Sequence, residues 1–308
     1  MAHHHDHSHA HDPAGHGHVP DNFGRAFAIG ATLNSAFVVA ELGFGYAANS
    51  LALISDAVHN LSDVFAPLLA WGAAWLAGKR PTDKHTYGYR RGSILAALFN
   101  AGLLLVAVGG IAVEAINRLR EPAAVASWTV VWVAALGVAI NGATALLFMR
   151  GRHGDLNIRG AYLHMAADAG VSLGVVAAAL LIMYTGWLWL DPAISLCIAA
   201  VILVSGWGLA RDSVNLALDA VPKGIELAEV RDYLGGLDGV LEVHDLHIWA
   251  MSTNETALTA HLVRPGGHDD AFLHRVCVEL SHRFNIHHAT LQVEANGDAC
   301  KLAPAELV

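Results

Sequence analysis

Long apolar runs alternate with short polar stretches up to about residue 211. Each run is close to the ~20 residues that a helix needs to cross a lipid bilayer. We therefore predict six membrane-spanning helices, at residues 23–48, 51–78, 93–117, 128–149, 161–186 and 192–211. The turn between the first two is so short that these helices should be antiparallel neighbours.

After Asp219 the pattern changes to that of a water-soluble domain. Two segments, 239–250 and 255–263, alternate between apolar and polar residues as half-buried strands do, and 287–294 is a third strand. A polar helix from Pro222 to about Gly235 precedes them, and an amphipathic helix covers 268–284. This order predicts a small α+β domain whose helices lie on one face of a mainly antiparallel sheet.

The composition agrees with a polytopic membrane protein that has a soluble remainder. Only 15% of the residues are charged and 55% are hydrophobic, whereas an average soluble domain has about 25% charged residues. Three widely separated cysteines form no C-x-x-C, so neither a disulfide framework nor a thiolate metal site is expected. The chain has no G-x-x-x-x-G-K-[ST] motif, so nothing supports ATP-driven pumping.

The N-terminal segment is rich in histidine. Eight of the 20 histidines fall within the first 18 residues, among Asp, Ser, Ala and Gly. This composition cannot bury a core, so we expect disorder, and the segment lacks the apolar region of a signal peptide. It is interpreted as a loose metal-collecting tail; the alternative is a purification tag, although a tag is usually an uninterrupted histidine run.

Basic residues indicate the orientation in the membrane. The segment 79–91 contains Lys79, Arg80, Lys84, Arg90 and Arg91, and the segment 150–159 contains Arg150, Arg152 and Arg159. The turns at 47–50 and 187–191 contain none. Because basic loops stay in the cytoplasm, both termini are predicted to be cytoplasmic. Arg118 and Arg120 oppose this orientation but are outnumbered.

Two His-x-x-x-Asp pairs lie inside predicted spans: His59 with Asp63, and His164 with Asp168. An aspartate at the centre of a span costs about 2.5–3.5 kcal/mol on insertion scales. Residues four apart share one helix face, so two such helices can direct two imidazole nitrogens and two carboxylate oxygens to one point. That set suits tetrahedral zinc or a close neighbour. The alternative, hydrogen bonding between helices, is weakened because the pattern occurs twice without a basic partner.

These carboxylates can be neutralised only by a bound cation or by a proton, because the nearest basic residues lie in loops. Metal binding needs neutral histidines and ionised carboxylates, so metal and protons compete for the same groups. This competition points to exchange of metal for protons. Asp56, about two turns before Asp63, either lines the access path, tunes the site or has a structural capping role. Further polar residues in the spans either support the metal ligands as hydrogen-bond partners or form hydrogen bonds between helices, and the second role is favoured: Asn34, Glu41, Asn100 and Asn141.

Five segments together resemble one family. They are SLALISDAVHNLSD, DKHTYGYRRGSILAAL, HMAAD, LDP at Asp191 and VHDLHIWAM. The chain resembles the cation diffusion facilitators, in the zinc, cobalt and cadmium group of bacterial exporters, over nearly all of residues 23–294. The resemblance implies alternating-access antiport of metal and protons by a homodimer in the inner (plasma) membrane. His59, Asp63, His164 and Asp168 match the family's transport site, and relatives with histidine in both pairs tend toward zinc.

The resemblance also implies the domain organisation. We expect a disordered His-rich tail at 1–21 and a six-helix transmembrane domain at 22–212. A ferredoxin-like α+β cytoplasmic domain that binds metal and dimerises is expected at 213–295, with a C-terminal tail at 296–308. By position, His244, His261, His287 and Glu294 match metal ligands of the family's soluble domain, and His268 matches a histidine that can bridge two ions. We expect His247 to point away from this group.

One departure concerns the loop after the second span. Some relatives have a metal site there, built from an aspartate and two histidines. Asp83 and His85 are present, but Tyr89 stands where the second histidine would be. We therefore favour a plain solvated loop.

The function predicted is efflux of divalent metal, with Zn²⁺ as both the transported and the regulatory ion. Co²⁺, Cd²⁺ and Ni²⁺ are further candidates. The expected partners are these ions, protons, the lipid bilayer and a second copy of the chain, with no nucleic acid. A membrane metalloenzyme is disfavoured for two reasons. A catalytic zinc keeps one coordination position open, whereas four candidate ligands would fill all four positions. The spans also offer no separate general base. The remaining alternative is a membrane-anchored metal sensor or chaperone.

Overall fold

A computed structural model describes residues 21–149 and 156–296, which form eight helices and one three-stranded sheet. The helices are α1 (Asp21–Ala47), α2 (Leu51–Ala77), α3 (Gly92–Arg120), α4 (Ser127–Met149), α5 (Leu156–Thr185), α6 (Leu190–Ala217), α7 (Leu227–Gly235) and α8 (Asp270–Phe284). The strands are β1 (Glu242–Ala250), β2 (Thr256–Val263) and β3 (His288–Glu294). The histidine-rich segment 1–20 and residues 297–308 of the expected C-terminal tail lie outside the described residues.

The first six helices make up a helical membrane domain. Within the described residues, α3, α4, α5 and α6 are long and apolar enough to cross a membrane. Helices α1 and α2 have 27 residues each, but α2 carries Asp56, His59 and Asp63, which lower its mean hydropathy. The membrane domain is confirmed, whereas passage of α1 and α2 through the bilayer stays a prediction.

Several helix ends differ from those expected. Helix α5 begins at Leu156 and α6 continues to Ala217, beyond the apolar runs that predicted them. The length of an apolar run corresponds to the thickness of the bilayer core. A helix can extend beyond that core, because its backbone hydrogen bonds continue in the polar residues that flank the run. Helix α7 begins at Leu227 instead of Pro222, because the chain first turns through Gly224, whose φ of 87° suits glycine.

Helix α2 packs against α1, α3, α5 and α6. The buried core between the helices includes Leu53 of α2, Val108 of α3, Val175 of α5 and Ile202 of α6. Small residues allow this close approach. At Gly137 of α4, an added Cβ would lie only 2.9 Å from the Phe37 ring of α1.

The start of α2 is fixed by a side chain of α6. Asp191 accepts hydrogen bonds from the backbone N–H of Leu51 at 2.7 Å and of Ala52 at 3.3 Å, and from the Ser50 hydroxyl. Ser50 in turn accepts from the N–H of Leu53. These bonds satisfy backbone donors that would otherwise be unpaired at a buried helix end. They hold the helix that carries His59 and Asp63.

The C-terminal domain is a sheet of order β1-β2-β3, covered on one face by α7 and α8. Val230 of α7 and Val276 of α8 pack against Leu258 and Leu262 of β2. Strands β1 and β2 are antiparallel, but β2 and β3 are parallel because α8 carries the chain back across the sheet. The sheet is therefore mixed, and the face away from the helices carries His261 and Glu294.

The two domains touch at the segment before α3. Arg90 pairs with Glu255 at 2.7 Å, and Arg91 pairs with Asp219. The hydroxyl of Ser93 accepts a hydrogen bond from the N–H of Thr253 at 3.1 Å. The start of α3 is thus joined to the turn between β1 and β2.

Candidate metal sites

The four intramembrane residues converge from two helices. His59 and Asp63 lie one turn apart on α2, and His164 and Asp168 lie one turn apart on α5. His59 Nε2 is 3.4 Å from Asp168 Oδ1, and His164 Nε2 is 3.3 Å from Asp63 Oδ2. Each histidine therefore faces the aspartate of the other helix.

These distances fit one small cation. A tetrahedral zinc with bonds of about 2.0–2.1 Å places its ligand atoms about 3.3–3.4 Å apart. The two contacts between helices match this value. The contacts within each helix are longer, 4.0 Å between His59 Nδ1 and Asp63 and 3.7 Å between His164 and Asp168. His59 presents a different nitrogen to each aspartate, Nε2 to Asp168 and Nδ1 to Asp63.

Burial differs across the site. The Asp168 side chain is 2% exposed, whereas that of His164 is 43% exposed, so His164 lies at the open side. One ligand atom each from His59, Asp63 and Asp168 lies within 4.8 Å of the others, and His164 adjoins this group. Both oxygens of Asp168 and one of Asp63 are buried without a hydrogen bond in the described residues. No Lys or Arg forms an ion pair with these carboxylates in the part of the chain that is described.

Asp56 lies beside this site and not in it. Its Oδ2 accepts a hydrogen bond from the Ser172 hydroxyl of α5 at 2.7 Å. Its carboxyl group also contacts Glu41 of α1, whose Oε2 accepts a hydrogen bond from Asn60 at 3.3 Å. No spacing pattern in the sequence connects Glu41 with Asp56, which lie on different helices.

A second group of possible ligands lies on the open face of the C-terminal sheet. His261 Nδ1 is 3.1 Å from Glu294 Oε1, and His244 Nε2 is 3.6 Å from Glu294 Oε2. The two imidazole rings are 5.2 Å apart. Both nitrogens of His244 and Oε2 of Glu294 are buried without a hydrogen bond in the described residues. Two imidazoles and a carboxylate form a donor set that zinc and its neighbours accept.

A β-bulge in β1 overturns the expectation for His247. His244 lies opposite His261, and His247 lies opposite Thr259, with an irregularity between the two pairs. Residues 259 and 261 share one face of β2, so His244 and His247 also share one face. A bulge adds one residue to a strand and so changes the face of the residues that follow. The prediction that His247 points away was therefore wrong.

Asp245, which the sequence analysis did not single out, forms the bulge. Its φ is 50°, a left-handed conformation that aspartate tolerates better than most residues. Its Oδ1 is 2.9 Å from His247 Nε2, and its Oδ2 is 3.4 Å from His261 Nε2. A carboxylate at the second nitrogen of a histidine commonly orients that ring toward a metal.

His287 and His268 are not brought to this group. Both are exposed and belong to neither ligand group found in the described residues. His287 immediately precedes β3, whereas Glu294 ends it, which separates them by about 20 Å of extended chain. The loop after α2 contains Asp83 and His85. The His85 ring packs against the Tyr89 ring, with 4.7 Å between the ring centroids, and Asp83 is exposed.

Comparisons with known proteins agree with this architecture. Residues 27–216 match the family model of the cation efflux transmembrane domain. Residues 222–296 match the model of the cation efflux protein cytoplasmic domain. The chain therefore belongs to the cation diffusion facilitator family, and it is a multi-pass membrane protein with a cytoplasmic C-terminal domain.

Curated relatives are similar over almost the whole chain. The metal cation efflux system protein CzcD of Cupriavidus metallidurans is 39% identical, over 95% of this chain and 92% of the relative. The cadmium, cobalt and zinc/H(+)-K(+) antiporter of Bacillus subtilis is 34% identical, over 91% and 92%. The zinc transporter ZitB of Escherichia coli is 35% identical, over 96% of each. The similarity confirms the zinc, cobalt and cadmium group predicted from the sequence.

Proposed function

We propose that this protein is a homodimeric exporter that exchanges Zn²⁺ for protons across the inner (plasma) membrane by alternating access. The main support for this proposal is that four side chains of α2 and α5 converge: His59, Asp63, His164 and Asp168. Their histidine nitrogens lie 3.3 to 4.0 Å from the aspartate oxygens. Metal cargo would bind between two helices whose relative movement can open the site to either side. Co²⁺, Cd²⁺ and Ni²⁺ are further cargo candidates.

The choice of zinc rests on the donor atoms. Imidazole suits zinc and its close neighbours, whereas manganese and magnesium favour oxygen ligands. The names of the similar Bacillus subtilis and Escherichia coli transporters include zinc, cadmium and cobalt. A hydrolytic enzyme is not proposed, because four ligands would fill the tetrahedral positions that a catalytic zinc leaves partly open.

The exchange for protons rests on the same four groups. Protonation of a histidine or of a carboxylate removes a ligand, so metal and protons exclude each other. No fixed cation pairs with Asp63 or Asp168 among the described residues, and cations from solution must supply the neutralising charge. Protons that enter as metal leaves would meet this need.

The topology proposed has six spans and cytoplasmic termini. Four helices qualify as spans by composition, and the similar length of α1 and α2 supports two more. The basic residues between α2 and α3 and between α4 and α5 support the orientation. The domain boundaries remain as expected from the sequence: 1–21, 22–212, 213–295 and 296–308.

The cytoplasmic domain is proposed to be a ferredoxin-like dimerisation domain that senses metal. Its group His244, His261 and Glu294 would bind a regulatory ion. His268 and His287 remain candidate ligands for ions held with a second copy of the domain. An ion that binds one conformation more tightly shifts the transport equilibrium toward it.

Metal resistance of cells tests the proposal. In cells that lack their own zinc exporters, wild-type protein should restore growth on zinc, and Asp63→Ala should abolish this rescue. Asp83→Ala makes the same chemical change at an exposed loop position and should retain it. Expression of each variant in the membrane is measured alongside growth.

The outcome separates transport from sensing. A membrane-anchored sensor or chaperone would use the cytoplasmic group, so Asp63→Ala would then leave resistance nearly intact. Such a result would remove the transport site from α2 and α5.

A further inference from the structure

Glu41 of α1 and Asp56 of α2 form a pair of acidic side chains separate from the four candidate ligands. Both residues are fully buried, at 0% exposure. Their carboxyl groups are neighbours that interact with each other. Burial of two neighbouring carboxyl groups inside a membrane domain is costly unless their charge is compensated.

The surroundings supply only part of this compensation. Asn60 Nδ2 donates to Glu41 Oε2 at 3.3 Å, and the Ser172 hydroxyl donates to Asp56 Oδ2 at 2.7 Å. The other oxygens, Glu41 Oε1 and Asp56 Oδ1, have no hydrogen bond in the described residues. Asn60 is also fully buried, and its Oδ1 has no hydrogen-bond donor among the described residues. This oxygen could accept a hydrogen bond from a protonated carboxyl group.

The charged neighbours of the pair, within the described residues, include no lysine or arginine. No Lys or Arg forms an ion pair with either carboxylate in the described ranges. The charged or titratable groups that act on Asp56 are Glu41, His59 and Asp168, and Asp56 is the one that acts on Glu41. Helix α4, which packs against α1, has no titratable residue.

Two neighbouring, fully buried carboxyl groups with no fixed cation beside them among the described residues cannot both ionise at moderate cost. One proton shared between them makes a short, charge-assisted O–H···O bond and leaves a single negative charge. The two oxygens without hydrogen-bond partners are the atoms available for that proton. We propose that the Glu41–Asp56 pair binds one proton, and that this proton is exchanged for the transported metal.

This inference rests on the proposed function and adds to it a proton site separate from the metal ligands. Asp56 and His59 are three residues apart on α2, about 4.5 Å along the helix axis. A divalent ion held by His59 therefore adds two positive charges about one helical turn from Asp56 along α2. That field stabilises the doubly ionised pair, the O–H bond breaks heterolytically, and the proton leaves to water while both electrons stay on the carboxylate. Metal and this proton compete through the electric field and not for a shared ligand atom.

Proton release on zinc binding tests the proposal. Full-length protein in detergent micelles is titrated with zinc by calorimetry in buffers of different ionisation enthalpy, which gives the protons released per protomer at saturation. Glu41→Gln should release about one proton fewer than wild type, with unchanged zinc stoichiometry. Because the cytoplasmic and N-terminal histidines are the same in both proteins, their contribution cancels in the difference.

Two further variants control for structural effects. Glu41→Asp keeps a titratable carboxyl group and should restore the release. Glu114→Gln makes the same change as Glu41→Gln, but on α3 at a residue paired with Arg118, and should match wild type. Equal release from wild type and Glu41→Gln would overturn the proposal while leaving metal and proton exchange intact. If wild type itself released no proton on binding zinc, the proposed exchange would fail instead.

A second measurement needs no substitution. Infrared difference spectra of wild-type protein, with zinc minus without zinc, should show loss of the carbonyl band of a protonated carboxylic acid. If this band is not lost, the proposal is overturned. That result is also expected if a potassium ion, and not a proton, neutralises the pair, because such a pair has no protonated carboxyl group.

Discussion

Each residue of the intramembrane site contributes either an imidazole nitrogen or a carboxylate oxygen. His59 and His164 supply the nitrogens, and Asp63 and Asp168 supply the oxygens. Zinc accepts this mixed set, whereas manganese favours oxygen alone. The proposed preference for zinc therefore depends on the identity of these four side chains.

Replacing His59 with Asp should change this preference. The variant offers three carboxylates and one imidazole, so the apparent affinity for zinc should fall about tenfold or more, and transport of Mn²⁺ should rise. Competition between zinc and manganese during uptake into proteoliposomes measures both effects. His85→Asp, in the exposed loop, is the matched control; an unchanged zinc-to-manganese ratio in His59→Asp would refute the assignment of His59.

Spacing along one helix made part of the site predictable. A separation of four residues puts His59 and Asp63 on the same face of α2, and His164 and Asp168 on the same face of α5. The contact between Glu41 and Asp56 was not predictable, because it depends on how α1 and α2 are rotated about their axes. Helix periodicity gives each helix a face but does not say which faces meet.

Helix ends and strand irregularities determine how the helices and strands present their side chains. The first turn of α2 is held by Asp191 of α6, which accepts from Leu51 and Ala52. Such bonds between distant segments have no sequence signal beyond the buried charge itself. The bulge at Asp245 likewise places His247 on the face of His244, and alternation along an ideal strand gave the opposite face.

Asp191→Ala should destabilise the membrane domain. The change leaves buried backbone N–H groups without an acceptor, and we expect the free energy of unfolding to fall by about 2–3 kcal/mol. Denaturation of the detergent-solubilised protein, followed by loss of helical circular dichroism, measures this effect. Asp212→Ala removes the exposed contact with Lys223 and should change stability by less than about 1 kcal/mol. Equal stability of the two variants would contradict the capping role of Asp191.

The two groups of candidate metal ligands lie in domains that are joined by a short polar connection. Arg90 and Arg91, which directly precede α3, pair with Glu255 and Asp219. These two ion pairs connect the cytoplasmic domain with the start of α3. The division into an apolar helical part and a small α+β part was predictable from hydrophobic patterning, whereas these contacts between domains were not.

Zinc and protons are proposed to move in opposite directions through the site formed by α2 and α5. The most direct test uses full-length protein in proteoliposomes that contain one dye for zinc and one for pH. Zinc added outside should enter while the interior becomes more alkaline, and both signals should be lost in Asp168→Asn. Entry of zinc without a change in pH would contradict the exchange of zinc for protons. Equal fluxes in wild type and Asp168→Asn would contradict the assignment of the transport site to α2 and α5.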